Sequence, residues 1–281
     1  MITLLKNSLI TSLTALSLSI GALSLPTAAH GSSIGVEPLF LEIAPNRSGA
    51  IRVRNTSDSE IPVEVMVYRR TVDTNGKQTK TPADDDFILF PPQASLKGQA
   101  TQVFRLQPIV EITDISQSYY ITVRQIPVPM DELDLKGVQL QVVFAFDAAV
   151  HVVPRKTEGQ LEIINTRLNT VTLEQPTGEF EEKGNGRRIE ITRPVTLPAI
   201  ELDVKNTGSK YLYLQDYDFS ADLAGNAETQ ALDPKWGYDE VVQAAIITLV
   251  EPQKSRTFKL PLPAGTQADS VSVSAKKRSG T

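Results

Sequence analysis

One short motif occurs twice in this chain, about 150 residues apart, and this repeat constrains the fold more than any other feature. Segment 51–57 reads Ile-Arg-Val-Arg-Asn-Thr-Ser, and segment 202–208 reads Leu-Asp-Val-Lys-Asn-Thr-Gly. In each copy, apolar and charged residues alternate before an Asn-Thr pair and a small residue. The alternation indicates a β-strand with one buried face, and the residues after it favour a turn.

A second pair of matching blocks follows in the same order. Segment 92–95 (Pro-Gln-Ala-Ser) leads to Phe104, and segment 252–255 (Pro-Gln-Lys-Ser) leads to Phe258. The phenylalanine follows the asparagine of the motif after 49 positions in the first copy and 52 in the second. Because two matches recur at similar spacing, they indicate a duplicated topology rather than two unrelated turns.

Composition and turn spacing favour β-sandwiches. The 281 residues include 18 prolines and 41% hydrophobic residues, and turn signals separate short apolar segments every roughly 8–12 residues. We therefore predict an all-β fold with two tandem immunoglobulin-like β-sandwich domains, at 30–155 and 158–281. The polar stretch 179–188 predicts a hairpin tip, and 223–230 predicts a surface loop.

The first 29 residues predict a secretory signal peptide. Lys6 precedes an apolar stretch at 9–25, and Thr27-Ala28-Ala29 supplies the small residues of a cleavage site. The alternative is an uncleaved membrane anchor, which the short, Ser- and Thr-rich apolar stretch disfavours. No later segment is apolar enough to span a bilayer, and the chain contains no cysteine for disulfides or thiolate metal sites.

Residues that could carry chemistry are scarce. The net charge of −5 gives no reason to expect a nucleic acid partner. We interpret His151 as a partly exposed strand residue, because no nucleophile motif accompanies it. Asp84-Asp85-Asp86 lacks the spacing of a calcium loop and predicts a solvated loop. The sequence therefore predicts no catalytic residue, no metal site and no cofactor, and a protein that is not an enzyme.

The segment 138–153 is an unusually long apolar run that ends at Pro154. Leu140, Val142, Phe144 and Phe146 fall on every second position, which places them on one face of a strand. Since a mean strand has only roughly 5–6 residues, a strand over the whole run would extend past its neighbours. Its unpaired backbone groups and apolar side chains would then be available to another chain.

The chain resembles the PapD-like periplasmic chaperones that assemble pili. Three blocks carry the resemblance: 90–106, with Phe-Pro-Pro-Gln at its start and Phe-Arg-Leu at its end; 119–127, Tyr-Tyr-Ile-Thr-Val-Arg-Gln-Ile-Pro; and the long run closing with Val-Val-Pro at 152–154. The blocks are specific in the first predicted domain, and the likeness of the second domain is mainly topological.

The resemblance implies a chaperone that binds a pilus or fibre subunit and delivers it to an outer-membrane usher. In that family, the last strand of the first domain completes a subunit sandwich that lacks one strand. The family's groove-filling positions correspond to Leu140, Val142 and Phe144, and Phe146 continues the row. The resemblance also implies that these side chains are exposed when no subunit is bound.

Several family positions differ in this chain. The lysine that usually binds the subunit's C-terminal carboxylate is Ala149, and no arginine occurs at 38–40 to accompany it. The usual Glu of Arg-Glu-Ile-Pro is Gln125, and the arginine before the closing proline is Val153, which removes members of the usual interdomain charge network. Substitute contacts to the carboxylate or the usher are Arg124, Arg155 and Lys156. The pattern is most similar to the archaic chaperone–usher type.

Two other functions remain open from the sequence. The chain could be a structural or adhesin component of a surface fibre, but residues 30–36 are too short and too polar to provide the donor strand of a subunit. A secreted hydrolase on a sandwich scaffold would need a concave cluster of carboxylates, and no motif indicates one.

Overall fold

The computed structural model describes residues 34–111, 113–127, 143–184, 187–224, 230–232 and 248–278. They form strands, turns and two short 3-10 turns, at Asp84–Asp86 and Leu214–Asp216. None of their helical segments is long and apolar enough to cross a membrane. The predicted signal peptide at 1–29 lies outside the described residues, as do Leu140 and Val142 of the long apolar run.

Ten strands form the first sandwich. They are β1 Ile34–Glu37, β2 Phe40–Ile43, β3 Gly49–Asn55, β4 Ile61–Val72, β5 Gln78–Pro82, β6 Phe87–Phe90, β7 Gln93–Leu96, β8 Thr101–Pro108, β9 Gln117–Gln125 and β10 Ala145–Val152. One sheet has the order β1-β3-β8-β6; the other has the order β2-β10-β9-β4-β5, with β7 pairing with β4. All these pairs are antiparallel except β2–β10. Fully buried side chains between the sheets include Ile51, Val53, Phe104, Leu106, Tyr119, Ile121 and Val150.

The second sandwich follows residues 153–160. Its strands are β11 Leu161–Glu182, β12 Arg188–Asn206, β13 Leu212–Tyr213, β14 Tyr217–Leu223, β15 Gln230–Leu232, β16 Leu249–Val250, β17 Ser255–Pro261 and β18 Val271–Lys277. They pair as β11-β12-β17, β15-β14-β18 and β13-β16. A separate core contains Ile200, Leu202, Val204, Leu214, Ala221 and Val250. The prediction of an all-β fold with two tandem immunoglobulin-like sandwiches is confirmed.

The repeated motif has the same strand register in both sandwiches. Ile51 on β3 pairs with Phe104 on β8, and Leu202 on β12 pairs with Phe258 on β17. Each phenylalanine therefore lies opposite the apolar residue four positions before the asparagine of its motif. The duplicated topology that the spacing predicts is confirmed at the level of individual pairs.

The asparagine of each motif is fully buried and closes the turn after it. Asn55 Nδ2 donates to the carbonyl oxygens of Ser59 and Leu96, at 2.7 and 3.0 Å. Asn206 Nδ2 donates in the same way to Lys210 and Val250, at 2.7 and 3.2 Å. An unpaired buried backbone carbonyl is costly, so each amide stabilises the turn and the strand that crosses it.

One part of the predicted repeat is wrong. The sequence aligned Gln253 with Gln93, but the structure gives it the role of Gln99. Gln99 and Gln253 both have a left-handed backbone, with φ of 59° and 60°. Both donate their side-chain amide to the carbonyl oxygen of the threonine that follows the motif asparagine. The shared Pro-Gln letters at 92–93 and 252–253 were a coincidence, because they lie at different places in the two sandwiches.

The second sandwich contains a hairpin that the sequence predicted only at its tip. The predicted tip at 179–188 is confirmed, since β11 ends at Glu182, β12 begins at Arg188, and the Lys183 N–H donates to the Arg187 carbonyl. The lengths of these strands, 22 and 19 residues, were not predicted. The predicted loop at 223–230 falls between β14 and β15, and residues 225–229 of it lie outside the described residues.

Candidate functional site

Strand β10 is paired along its whole length on one side and along half its length on the other. It pairs with β9 from Ala145 to Val152. It pairs with β2 only from Ala149 to Val152, and Ala149 lies opposite Phe40. Within the described part of the chain, no strand covers this edge at 145–148. We call Ala149–Val152 the fixed half of β10, and Ala145–Ala148, whose second edge is unpaired, the open half.

The β2 ladder ends where the chain passes from one sheet to the other. The last ladder bond at this end runs from the Ala149 N–H to the Leu39 carbonyl, at 2.8 Å. Pro38 comes next and lies outside the ladder, since its backbone groups, like those of Phe40, are directed away from β10. The chain beyond it belongs to β1, which pairs with β3 in the other sheet. The open edge of β10 is thus set by the point at which the chain changes sheets.

The open half carries the end of the apolar row. Ala148 and Val150 are completely buried in the first core. Phe146, on the same face, is half-buried and packs against that core. Phe144 precedes the strand, and its ring stacks on Phe146 with 6.5 Å between centroids and 24° between planes. The row thus passes continuously from the core towards the open edge.

Two sequence expectations for this strand need correction. The strand predicted over 138–153 begins at Ala145 in the structure, so Val143 and Phe144 precede it. Phe144 is half-buried rather than exposed, because its ring rests on Phe146. The rest of the run, at 138–142, lies outside the described residues.

The opposite face of the open half is polar. Asp147 accepts a hydrogen bond from Thr122 Oγ1 at 2.6 Å and forms an ion pair with Lys80. Tyr120 lies between two cations, since Lys80 Nζ and the Arg70 guanidinium are each 4.8 Å from its ring centroid. Burial, as the largest cause, raises the pKa of Tyr120 to about 12. This network keeps the polar face of β10 in a fixed arrangement beside the open edge.

The predicted cationic contacts do not form one cluster. Arg124 is exposed, pairs in register with Ala145 and donates from Nε to Glu64 Oε1 at 2.7 Å. Arg155 and Lys156 are exposed in the turn after the other end of β10. At roughly 3.4 Å per residue, the length of the strand separates Arg124 from the other two by about 27 Å. Only Arg124 lies beside the open half.

An aromatic cluster occupies the position where the family usually has its charged anchor. Ala149 lies opposite Phe40. The Phe40 ring lies 5.5, 6.5 and 6.2 Å from the rings of His151, Tyr211 and Tyr213. The sequence does not predict this cluster. Its only sequence signal is the alternation of Tyr211 and Tyr213 after the second motif, which does not indicate what the two rings contact.

His151 is fully buried in this cluster, so the prediction of a partly exposed residue is wrong. Its Nδ1 lies 2.9 Å from Ser118 Oγ, and its Nε2 lies 3.0 Å from the Tyr213 hydroxyl. Its ring stacks on Tyr211 with centroids 3.7 Å apart. Burial, followed by the positive charges of Arg70 and Lys210, holds the pKa of His151 well below its usual value. The imidazole is therefore neutral, with one nitrogen donating and the other accepting.

Polar contacts join the fixed half of β10 and its neighbours to the second sandwich. Lys210 Nζ lies 2.8 Å from Glu42 Oε1, and the Tyr211 hydroxyl donates to the same carboxylate. The Val72 N–H donates to Glu251 Oε2 at 3.0 Å. In the family that the chain resembles, an arginine occupies the position of Val153 and takes part in the interdomain charge network. The contacts in this chain are different. The chain thus retains charged and polar contacts at this junction with different residues.

A cavity of about 450 Å³ lies beside the junction. Its wall includes the Phe40 ring and four charged side chains, which are Glu42, Lys210, Asp216 and Lys277. Burial raises the pKa of Asp216. The two acids and two bases balance, so the cavity has no strong preference for one sign of charge. In the part of the chain that the structure describes, no group of three His, Asp or Glu side chains could hold a metal ion.

One family model matches the first sandwich. Residues 41–158 match the family model "Pili and flagellar-assembly chaperone, PapD N-terminal domain". No curated protein sequence matches the chain. The resemblance to PapD-like chaperones that the sequence blocks predict is confirmed, and the matched residues extend from β2 through β10.

Several solved structures are similar to this chain. The class 5 fimbriae chaperone CfaA is 13% identical with a TM-score of 0.49, and the match covers 87% of this chain and 99% of that chain. The CsuC–CsuE chaperone–tip adhesion subunit complex of archaic Csu pili from Acinetobacter baumannii gives 15% identity, 80% and 89% coverage and a TM-score of 0.44. The E. coli chaperone DraB gives 16% identity, 83% and 87% coverage and a TM-score of 0.45.

Proposed function

We propose that this PapD-like chaperone binds a pilus or fibre subunit by lending it the open half of β10. The observation that carries the proposal is the edge at Ala145–Ala148, which lacks a partner strand in the described residues although the rest of β10 is paired on both sides. An open edge beside an apolar row supports pairing with another chain.

The backbone groups of two residues are directed at the open edge. The Ala149 and Val153 N–H groups donate towards β2, whereas the Phe144 carbonyl accepts from Gln125 on the β9 side. Since neighbouring residues of a strand direct their backbone groups to opposite sides, Ala145 and Asp147 present theirs to the open edge. A strand of the subunit would pair with these groups and extend its own sheet.

The apolar row supplies the side chains for a subunit groove. Phe144 and Phe146 would cover the core of a subunit that lacks one strand, and burial contributes about 1.5–3 kcal/mol for each large apolar side chain. We propose that Leu140 and Val142 continue the row. With Ala149 and Phe40 in place of a charged anchor, recognition of the subunit depends mainly on this row, and Arg124 supplies a cation beside it.

We also propose where the chain acts and to what it delivers the subunit. The mature chain begins at His30 after removal of the signal peptide, acts in the periplasm and transfers the subunit to an outer-membrane usher. Its domains extend over 30–155 and 158–281. Arg155 and Lys156, exposed at the far end of β10, are the cations offered to the usher or to a subunit carboxylate.

Hydrogen exchange tests the strand donation directly. We expect the N–H groups of Ala145 and Asp147 to exchange quickly in the free chaperone and slowly in a complex purified with its co-expressed pilus subunit. The Val150 N–H faces β9 and is the internal control, since it should be protected in both samples. Unchanged exchange at Ala145 and Asp147 in a stable complex would show that the subunit binds elsewhere.

A further inference from the structure

The hairpin of β11 and β12 extends past the rest of the second sandwich. Strand β17 pairs with β12 only over Ala199–Lys205. Beyond Ala199, β11 and β12 continue to pair with each other as far as Glu182 and Arg188. A two-stranded ribbon without a third strand is marginally stable in water, so this part of the molecule is open to a further strand.

The free edge of β12 has a proline at the centre of its open stretch. The Leu262 N–H donates to the Pro198 carbonyl, which shows that even-numbered residues of β12 direct their backbone towards the β17 side. Past the end of β17, the even-numbered residues of β12 that face this side are Thr196, Pro194 and Thr192. Pro194 has no N–H to offer, and prolines on an exposed edge prevent pairing with other chains.

The free edge of β11 has its one outward-facing proline, Pro176, at the end of the open stretch rather than within it. Odd-numbered β12 residues face β11, and Val195 and Leu197 pair with Leu173 and Val171. Even-numbered residues of β11 therefore direct their backbone outwards between Leu168 and Glu174, a stretch without proline. None of the described strands pairs with this edge.

The two faces of this stretch are also distinct. Val171, Leu173 and Val195 form a half-buried apolar row that continues to the buried Leu197. On the other face, the hydroxyls of Thr172 and Thr196 lie 2.9 Å apart. An added strand would therefore need apolar residues on one face and small polar residues on the other.

We propose that the added strand is β11 of a second copy of this chain, antiparallel, with the two-fold axis at Thr172. In this register, Val171 of each copy lies opposite Leu173 of the other, which doubles the apolar row. Thr172 lies opposite its own copy, and Thr–Thr pairs across strands are favourable. Glu174 lies opposite Thr170, so no like charges meet.

The backbone groups fit the same register. The Thr172 N–H of each copy donates to the Thr172 carbonyl of the other, and the Glu174 N–H donates to the Thr170 carbonyl. These four bonds do not use the Thr170 N–H, which the Asn169 side chain already accepts at 2.7 Å. Because Pro194 disfavours pairing at the β12 edge, no third copy adds there. Pairing through β11 therefore gives a closed dimer rather than an open array.

The test is the mass of the full mature chain in solution, measured by sedimentation over a range of concentrations. We expect a dimer for the natural chain and a monomer for Thr172→Pro, which removes one outward N–H. Thr192→Pro on the β12 edge is the matched control and should remain dimeric. Thr172→Lys, which places two lysines opposite each other at the axis, gives a second test if the proline variant unfolds.

Hydrogen exchange identifies the edge that pairs. The Thr172 and Glu174 N–H groups should become protected as the concentration rises, while those of Val171 and Leu173, which face β12, should not change. A chain that stays monomeric, or a dimer that survives both substitutions at Thr172, overturns the proposal. Protection of this edge only after a pilus subunit is added would replace the second copy with that subunit. None of these results depends on strand donation by β10.

Discussion

The two open edges of this molecule, on β10 and β11, differ in what lies behind them. The apolar row of β10 continues from the core of the first sandwich, where Ala148 and Val150 are fully buried. The apolar row of β11 belongs to a two-stranded ribbon and is only half-buried. The first edge is therefore fixed in place by its own core, whereas the second lacks a complete sheet.

This difference indicates what each edge can do. An edge anchored in a rigid core can pair with a partner and release it without losing its own shape. An edge on an incomplete sheet gains stability whenever another strand covers it. We therefore interpret β10 as a site for an exchangeable partner and β11 as a site for a lasting one.

Proline substitutions on the two sides of β10 should separate binding from folding. Ala145→Pro removes an N–H directed at the open edge, so we expect more than about tenfold loss of subunit recovered in complex, with little change in stability. Ala148→Pro removes an N–H directed at β9 and leaves a buried carbonyl without its donor, which should lower the free energy of unfolding by about 1–3 kcal/mol. Urea unfolding and co-purification measure the two effects. Full subunit recovery with Ala145→Pro would contradict strand donation at this edge.

Charged substitutions in the two apolar rows should have opposite consequences. Phe144→Glu places a carboxylate where the subunit core would lie, and we expect about tenfold or greater loss of subunit recovery with the dimer intact. Leu173→Glu should abolish the dimer and leave subunit recovery unchanged. Co-purification and sedimentation of both variants test this. If either substitution removed both properties, the two edges would not be independent sites.

The sequence predicts the parts of this fold that local patterns specify. Alternation in the two motifs and the positions of Asn55 and Asn206 predict the strands, the turns and the duplicated register. These features depend on neighbouring residues and on one strand pairing that occurs in both sandwiches. The alternation of Phe144 and Phe146 likewise predicts that these two side chains share a face.

Contacts between distant segments could not be predicted in this way. His151 has the alternation of an ordinary strand residue, and only the arrival of Tyr211 and Tyr213 from the second sandwich buries it. The length of β11 was missed because the turn-forming residues Pro176 and Gly178 indicate a break, whereas the structure accommodates them as an irregularity within the paired strands. Nor does the sequence show that β2 leaves the edge of β10 at Pro38.

Acid should weaken the fixed half of β10 through His151. Its pKa is well below 6.5 in the folded chain but near 6.5 in the unfolded chain. Below pH 6.5 the unfolded chain binds a proton that the folded chain does not, so the free energy of unfolding falls as the pH falls. Between pH 7.5 and 5, we expect a larger loss for the natural chain than for His151→Gln. Urea unfolding at both pH values measures it. Equal losses would show that His151 does not titrate in this way.

The smallest expected effect concerns Arg124, which lies at the open end of β10 and pairs with Glu64 on the surface. An exposed ion pair contributes only about 0–1 kcal/mol, so Arg124→Ala should barely change the urea midpoint. It should still weaken subunit binding a few-fold at low salt, because it removes a cation beside the open edge. Arg193→Ala is the matched control, since Arg193 forms an exposed ion pair with Glu179 in the β11–β12 hairpin. Affinities measured at two salt concentrations should converge for Arg124→Ala and the natural chain as salt screens the charge. An equal loss in both variants would show that net charge, rather than the position of Arg124 beside β10, determines the effect.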